Sequence, residues 1–293
     1  MRGNITNGST VGQILSIRVL LTAMLNIVDI RRCFVISVTG VATLILACIV
    51  ALPVHAAHED AAWERMPGQA QSVGVGGDGS VFVVAPRGTV YRWNESAFGW
   101  QSVAGDAKRV SVDSNGRPWV VTGNDRIYRL RGQTWQRMPG QASDIGAGFD
   151  GSVYAIAPRG TVYKWHENSW SWENIGGNAE RVTVDGDGRP WVTTSDNRIY
   201  RLRGQTWQNL PGRARDLGAG ANGEVWAASP GGITYRWNED SFGWQNMAGN
   251  RVQDIACGPN GEVWVVTRDN RIYRNQAGAS DSADEDVMMG LNR

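Results

Sequence analysis

Residues 108–140 read KRVSVDSNGRPWVVTGNDRIYRLRGQTWQRMPG, and this stretch decides the fold. Lys108–Val112 has the apolar alternation of a strand. Asp113-Ser114-Asn115-Gly116 follows as a tight turn, where Asn and Gly accept positive φ. Pro118–Thr122 is a second strand, Gly123-Asn124-Asp125 turns again, and Arg126–Leu130 is a third. Thr134–Met138 makes a fourth, which Pro139-Gly140 ends. Four short antiparallel strands with no amphipathic helix are the pattern of one propeller blade.

The same unit recurs along the chain. Trp63, Trp100, Trp135, Trp172, Trp207 and Trp244 align at spacings of 37, 35, 37, 35 and 37 residues. Odd units resemble one another, since Arg65-Met66-Pro67-Gly68-Gln69-Ala70 returns at Arg137 to Ala142. Even units do too, with Arg126-Ile127-Tyr128-Arg129 returning at Arg198 to Arg201 and Arg271 to Arg274. Three 72-residue pairs therefore make six units of about 36 residues. Apolar runs such as Val81-Phe82-Val83-Val84-Ala85 suit strands whose two faces are both covered by neighbouring blades. The expected fold is all-β, a six-bladed β-propeller.

The ends supply a check on closure. The sixth unit offers three strands, up to Arg271-Ile272-Tyr273-Arg274, and no Trp follows. A spare fourth strand, Trp63-Glu64-Arg65-Met66, begins the body instead. Set beside Tyr273, it completes the last blade and removes an open sheet edge. The expected organisation is a leader over residues 1–56, a linker over 57–62, the propeller over 63–275 and an acidic disordered tail over 276–293.

Residues 33–53 carry no charge and follow Arg31-Arg32, while Val54-His55-Ala56 offers a signal-peptidase site before Ala57. This reads as a secretory signal. An uncleaved signal anchor is the alternative, because the apolar run is long. Both readings place the propeller outside the cytoplasm, periplasmic or extracellular, without inserting the propeller itself into a membrane. Arg31-Arg32-Cys33-Phe34-Val35 has a twin-arginine look without its upstream Ser or Thr, and Ile45-Leu46-Ala47-Cys48 a lipobox look too deep in the apolar run.

Enzyme chemistry finds little material. The chain has 29 basic and 28 acidic residues, a formal net charge of +1, which leaves no electrostatic footprint for nucleic acid. Cys257 stands alone in the body, so neither a disulfide nor a cysteine metal site forms there, and it reads as a buried structural thiol. Of three histidines, only His166 lies within the repeats, in a turn equivalent to Asn94-Glu95 and Asn238-Glu239. Asp185-Gly186-Asp187-Gly188 resembles a calcium loop but lacks the downstream Glu, and equivalent positions read as turns. No catalytic residue, metal or cofactor is expected. The repeated Trp set reads as packing between blades.

Gly79-Ser80-Val81-Phe82, Gly151-Ser152-Val153-Tyr154, Gly223-Glu224-Val225-Trp226 and Gly261-Glu262-Val263-Trp264 each lead, through a turn, to a Tyr-Arg-Trp-like strand. The motif resembles the tectonin repeat and covers about residues 63 to 275. Gly116-Arg117-Pro118-Trp119 and Gly188-Arg189-Pro190-Trp191 depart from it, with Pro where Val is more usual. The resemblance implies a non-catalytic lectin for cell-surface glycans or lipopolysaccharide; a protein-interaction scaffold is the alternative. In a propeller, the loops joining second to third strands share one rim. Those loops nominate Arg87, Asp125, Arg126, Arg159, Asp196, Arg198, Asp269 and Arg271, whose planar donors and acceptors suit sugar hydroxyls or a phosphate. The plainer reading is a set of ordinary turn residues with local salt bridges.

Overall fold

Gly- and Asp-led turns cut the chain into runs too short for anything but strands, and the runs pair in sequence order. The computed structural model describes residues 63–247 and 249–275; the leader, the linker and the tail lie outside the described residues. After β1 (Glu64–Met66), the first blade is β2 (Ser72–Val75), β3 (Val81–Val84), β4 (Val90–Asn94) and β5 (Gly99–Ala104). The second is β6 (Arg109–Val112), β7 (Pro118–Val121), β8 (Arg126–Arg131) and β9 (Thr134–Gln141). The third is β10 (Asp144–Ala147), β11 (Val153–Ile156), β12 (Val162–His166) and β13 (Ser171–Gly176). The fourth is β14 (Arg181–Val184), β15 (Pro190–Thr193), β16 (Ile199–Arg203) and β17 (Thr206–Leu210). The fifth is β18 (Asp216–Ala219), β19 (Val225–Ala228), β20 (Thr234–Asn238) and β21 (Gly243–Asn246). The sixth is β22 (Val252–Cys257), β23 (Val263–Thr267) and β24 (Ile272–Asn275), with β1 as its fourth strand in the order β1-β24-β23-β22. This is a six-bladed β-propeller.

The closure expected from the ends is present. β1 pairs antiparallel with β24, Glu64 opposite Arg274, Arg65 opposite Tyr273 and Met66 opposite Ile272. An ion pair reinforces it. Arg274 Nε and Nη2 both donate to Glu64 Oε2, at 3.1 and 2.8 Å. The equivalent arginines in blades 2 and 4 meet Gln136 and Gln208 in that place, and their Nε atoms are buried without a partner. Glu64 thus accepts two guanidinium hydrogen bonds on one carboxylate oxygen, where blades 2 and 4 carry a single bond to a neutral amide.

The core lies between neighbouring blades. Trp119, Trp191 and Trp264, each fully buried, fill the same position in the even blades. Trp119 packs with Met138, Ile145 and Val153, so one cluster joins blades 2 and 3. Close approach around the axis explains three glycines. A Cβ on Gly146 would lie 2.7 Å from the Val182 carbonyl oxygen, and one on Gly218 would lie 2.9 Å from that of Ile255. One on Gly74 would lie 3.1 Å from both the Ser111 Cα and the Val110 carbonyl oxygen. Odd inner strands carry Gly because the next inner strand's backbone passes against them.

Three local expectations need correction. β9 does not stop at Pro139-Gly140 but runs on to Gln141. As the outermost strand of its blade, it can hold a Pro without losing a ladder bond, and a register shift between Arg126 and Tyr128 absorbs the irregularity. In the turn at 113–116, Gly116 alone takes positive φ; the Asp113 carboxylate shapes the turn by accepting from the Asn115 and Arg117 amides. His166 ends β12 rather than occupying the turn, and its Nε2 lies 2.6 Å from Glu173.

Candidate functional site

Two features repeat around the ring and gather polar groups, the central channel and the perimeter grooves. The channel is lined by β2, β6, β10, β14, β18 and β22, whose equivalent positions hold Ser72, Arg109, Asp144, Arg181, Asp216 and Asp254. Arg109 Nε donates to Asp144 at 2.9 Å and Nη2 to Asp216 at 3.4 Å, and Nη1 pairs with Asp254. Burial opposes charge on this guanidinium, but Asp254, Asp144 and Asp216 together hold it firmly protonated. Each acid also staples the next blade. Asp144 accepts from the Val182 amide at 2.8 Å, Asp216 from Ile255 at 2.9 Å and Asp254 from Val73 at 2.8 Å. Asp254, which replaces the Arg of the other even blades, therefore pins the seam between the sixth blade and the first. Burial, then the neighbouring Asp254, pushes the Asp216 carboxyl up to about 8, against the opposing pull of Arg109. The open space left is about 50 Å³, room for water and not for a sugar. The channel serves architecture.

The grooves are larger and sit between successive blades at the perimeter. The first, of about 630 Å³, is lined by Gly68 and Gln69 from the preceding loop, then Arg87, Thr89, Tyr91 and Trp100. The groove at blade 4, about 280 Å³, is lined by Gly177, Asn178, Thr194, Asp196, Arg198, Tyr200 and Trp207. The groove at blade 6, about 270 Å³, repeats it with Gly249, Asn250, Thr267, Asp269, Arg271, Tyr273 and Trp63. A third-strand Tyr, a fourth-strand Trp, a rim Arg and a preceding-loop Gly recur in all three. Flat rings beside planar polar groups can stack on an apolar face and bind its hydroxyls.

Odd and even grooves differ at the indole. Trp100, Trp172 and Trp244 donate Nε1 to the carbonyls of Pro67, Pro139 and Pro211 at 2.8, 2.9 and 2.8 Å. Trp63, Trp135 and Trp207 have buried Nε1 atoms without a partner. In the last two the indole lies over a loop glycine: a Cβ on Gly105 or Gly177 would stand 3.1 or 3.2 Å from Nε1. The Pro-Gly loops of the odd class thus anchor their Trp, and the even class leaves it unanchored.

The nominated rim residues do not converge on one pocket; they distribute one or two to a groove. Arg87 lines the first, and Arg159 holds the equivalent turn in blade 3; both are exposed and make no ion pair among the described residues. In blade 5 the equivalent turn is Pro230-Gly231-Gly232, so this cation is missing there. Asp196 and Arg198 line the groove at blade 4 and pair at 2.9 Å; Asp269 and Arg271 do the same at blade 6 at 3.0 Å. Thr194 draws the Asp196 carboxyl below the usual range, aided by Arg198, and Thr267 does so for Asp269. Asp125 pairs with Lys108 at 2.5 Å, while the next residue, Arg126, begins β8 and is exposed. The turn at Asp185 is explained by its bonds, since that buried carboxylate accepts from the Asp187 and Arg189 amides, Arg189 Nε and Trp191 Nε1. Cys257 is buried, and burial pushes its thiol up. Among the described residues no cluster of His, Cys, Asp and Glu could hold a metal.

The sequence reading did not nominate Tyr91, Tyr200 and Tyr273. Their signal was the Tyr of the repeated third-strand motif, read there only as part of a strand.

The family model of the Tectonin domain matches residues 54–126, 114–195 and 186–289. The chain belongs to the Tectonin family. The three matches overlap and together cover all six blades. No curated protein matches the chain. Among solved structures, the Tectonin propeller is similar to a streptogramin B lyase structure at 17% identity and TM-score 0.52, covering 73% of this chain and 87% of that one. It is similar to a chain of a mitotic checkpoint complex at 15% identity and TM-score 0.54, covering 73% and 93%. A structural genomics protein of unknown function from Bacteroides thetaiotaomicron matches at 9% identity and TM-score 0.57, covering 73% and 71%. At such identities the likeness is one of fold alone. A Tectonin propeller is consistent with a binding module.

Proposed function

We propose that this Tectonin propeller is a non-catalytic lectin, exported from the cytoplasm, that binds cell-surface glycans or lipopolysaccharide in its perimeter grooves. The observation that carries this reading is the recurrence of one groove chemistry. Tyr91 with Trp100, Tyr200 with Trp207 and Tyr273 with Trp63 each stand beside a rim arginine, in cavities of about 630, 280 and 270 Å³. An aromatic pair offers a flat apolar face to a pyranose ring, and the rim Arg and Thr supply hydrogen bonds to its hydroxyls. Each groove is open and shallow and binds weakly alone. A surface that displays many copies of one sugar engages several grooves together, and avidity supplies the strength.

A glycan array on the purified protein tests the proposal. The wild type binds a restricted set of glycans, and the triple variant Tyr91→Ala, Tyr200→Ala, Tyr273→Ala loses them. The set Arg87→Ala, Asp125→Ala, Arg159→Ala and Asp196→Ala weakens binding without abolishing it. Binding to a protein partner, untouched by free sugar, would replace the lectin reading with a scaffold.

A further inference from the structure

The face opposite the rim arginines carries an exposed aromatic array that the grooves do not use. Phe98, Trp170 and Phe242 are 51%, 40% and 44% exposed. Each sits at the tip of the hairpin between third and fourth strands of an odd blade, so the three share one face. Each has positive φ, at 44°, 52° and 48°. A bulky residue in the left-handed region is strained, because its Cβ crowds the backbone there. The fold does not demand an aromatic there, because the even blades turn the same corner with Gly132-Gln133 and Gly204-Gln205. One edge of each ring rests on Trp93, Trp165 or Trp237 at 5.3, 5.1 and 5.2 Å, and Arg129 also lies 5.4 Å from the Trp170 ring; the remaining surface of each ring is exposed.

The glutamate beside each tip is matched, while Asp240 stands exposed at the third tip beside Phe242. Glu95 pairs with Arg274, Glu167 with Arg129 and Glu239 with Arg201, at 2.9, 2.7 and 2.8 Å. The tips therefore present an aromatic ring with the neighbouring glutamate charge neutralised.

The course of the chain says what this face meets. Glu64 lies opposite Arg274 just as Gln101 lies opposite Arg92, two residues in from a tip. In the sixth blade the two ends of the described chain thus take the place of a hairpin tip. The polypeptide enters the propeller on the aromatic face. Upstream lie only residues 54–62, at most about 30 Å when extended, and then the uncharged apolar run 33–53.

We infer that this face docks on a phospholipid bilayer. With residues 33–53 retained in the membrane as an anchor, Phe98, Trp170 and Phe242 seat at the boundary of headgroups and acyl chains, where Trp is enriched and Phe buries its apolar ring. The rim arginines then point away from the bilayer. The inference stands on the aromatic face and the anchor, not on the sugar reading of the grooves.

The test is photocrosslinking of the full chain in phosphatidylcholine vesicles that contain a phosphatidylcholine with a diazirine on its acyl chain near the ester. Mapped adducts are expected on residues 33–53 and on the peptides around Phe98, Trp170 and Phe242, with none on the rim loops at Arg87 and Arg159. The variant Phe98→Ser, Trp170→Ser, Phe242→Ser keeps the adducts on 33–53 and loses those on the tips. Adducts confined to residues 33–53, or equal on tips and rim, would overturn the docking face. So would tips that soluble glycan or a second copy of the chain covers in the absence of lipid.

Discussion

Single positions in this repeat have been specialised while the strand around them stays constant. In the channel, equivalent inner-strand positions hold Ser72, Arg109, Asp144, Arg181, Asp216 and Asp254, so one site in the repeat carries a hydroxyl, two cations and three acids. Asp216 has the sharpest consequence. Its folded value of about 8 stands above the ordinary carboxyl value of 3.8, so between those limits the folded state holds a proton that the unfolded chain releases. Stability from this group is present at low pH and is lost as pH rises through about 8. Asp216→Asn removes the ionisation and keeps an acceptor for the Ile255 amide. Melting temperature followed from pH 4 to 9 is expected to fall less steeply in the variant, with the difference widening toward alkaline pH. Parallel profiles would contradict this assignment. None of the ring was legible beforehand, because nothing in the sequence says that Arg109 meets Asp216 and Asp254 across an axis. The rim was legible as residue types but not as grooves. Arg198, Asp196 and Tyr200 lie within five residues of one another, yet the cavity they border also needs Gly177 and Trp207 from two other segments.

Among the elements, β1 matters most, since it joins the beginning of the body to its end. Deletion of residues 60–68 exposes the edge of β24, strips Arg274 of Glu64 and opens the core around Met66, which is fully buried. A broad, much lower melting transition is expected by calorimetry, together with aggregation through the bared edge. An unchanged melt would refute the role of β1 in closure. The milder Glu64→Gln restores the arrangement of blades 2 and 4 and is expected to lower stability by about 1 kcal/mol, measured by chemical denaturation. Strands and closure were legible because turn chemistry punctuates them and the blade-starting Trp counts them. The continuation of β9 through Pro139-Gly140 was not, because only its outermost place in the blade makes a Pro tolerable there.

In the whole molecule, alternation turns six equivalent units into three pairs. Odd blades carry the aromatic tips, the anchored indoles and, in blades 1 and 3, Arg87 and Arg159, which make no ion pair among the described residues; even blades carry the latch arginines Arg129, Arg201 and Arg274, which hold the tip glutamates. Latch and tip meet at every even-to-odd junction, with Arg129 stacked 4.9 Å above the Trp119 ring and 5.4 Å from Trp170. The pairs thereby make a rigid disc whose rim and tip faces differ in chemistry, a geometry suited to presenting several grooves at once. Native mass spectrometry of the protein with a sugar chosen from the array tests multivalency most directly. The account predicts successive bound states with more than one sugar per chain, which Tyr91→Ala, Tyr200→Ala, Tyr273→Ala removes; a single bound state that survives the triple variant would contradict it.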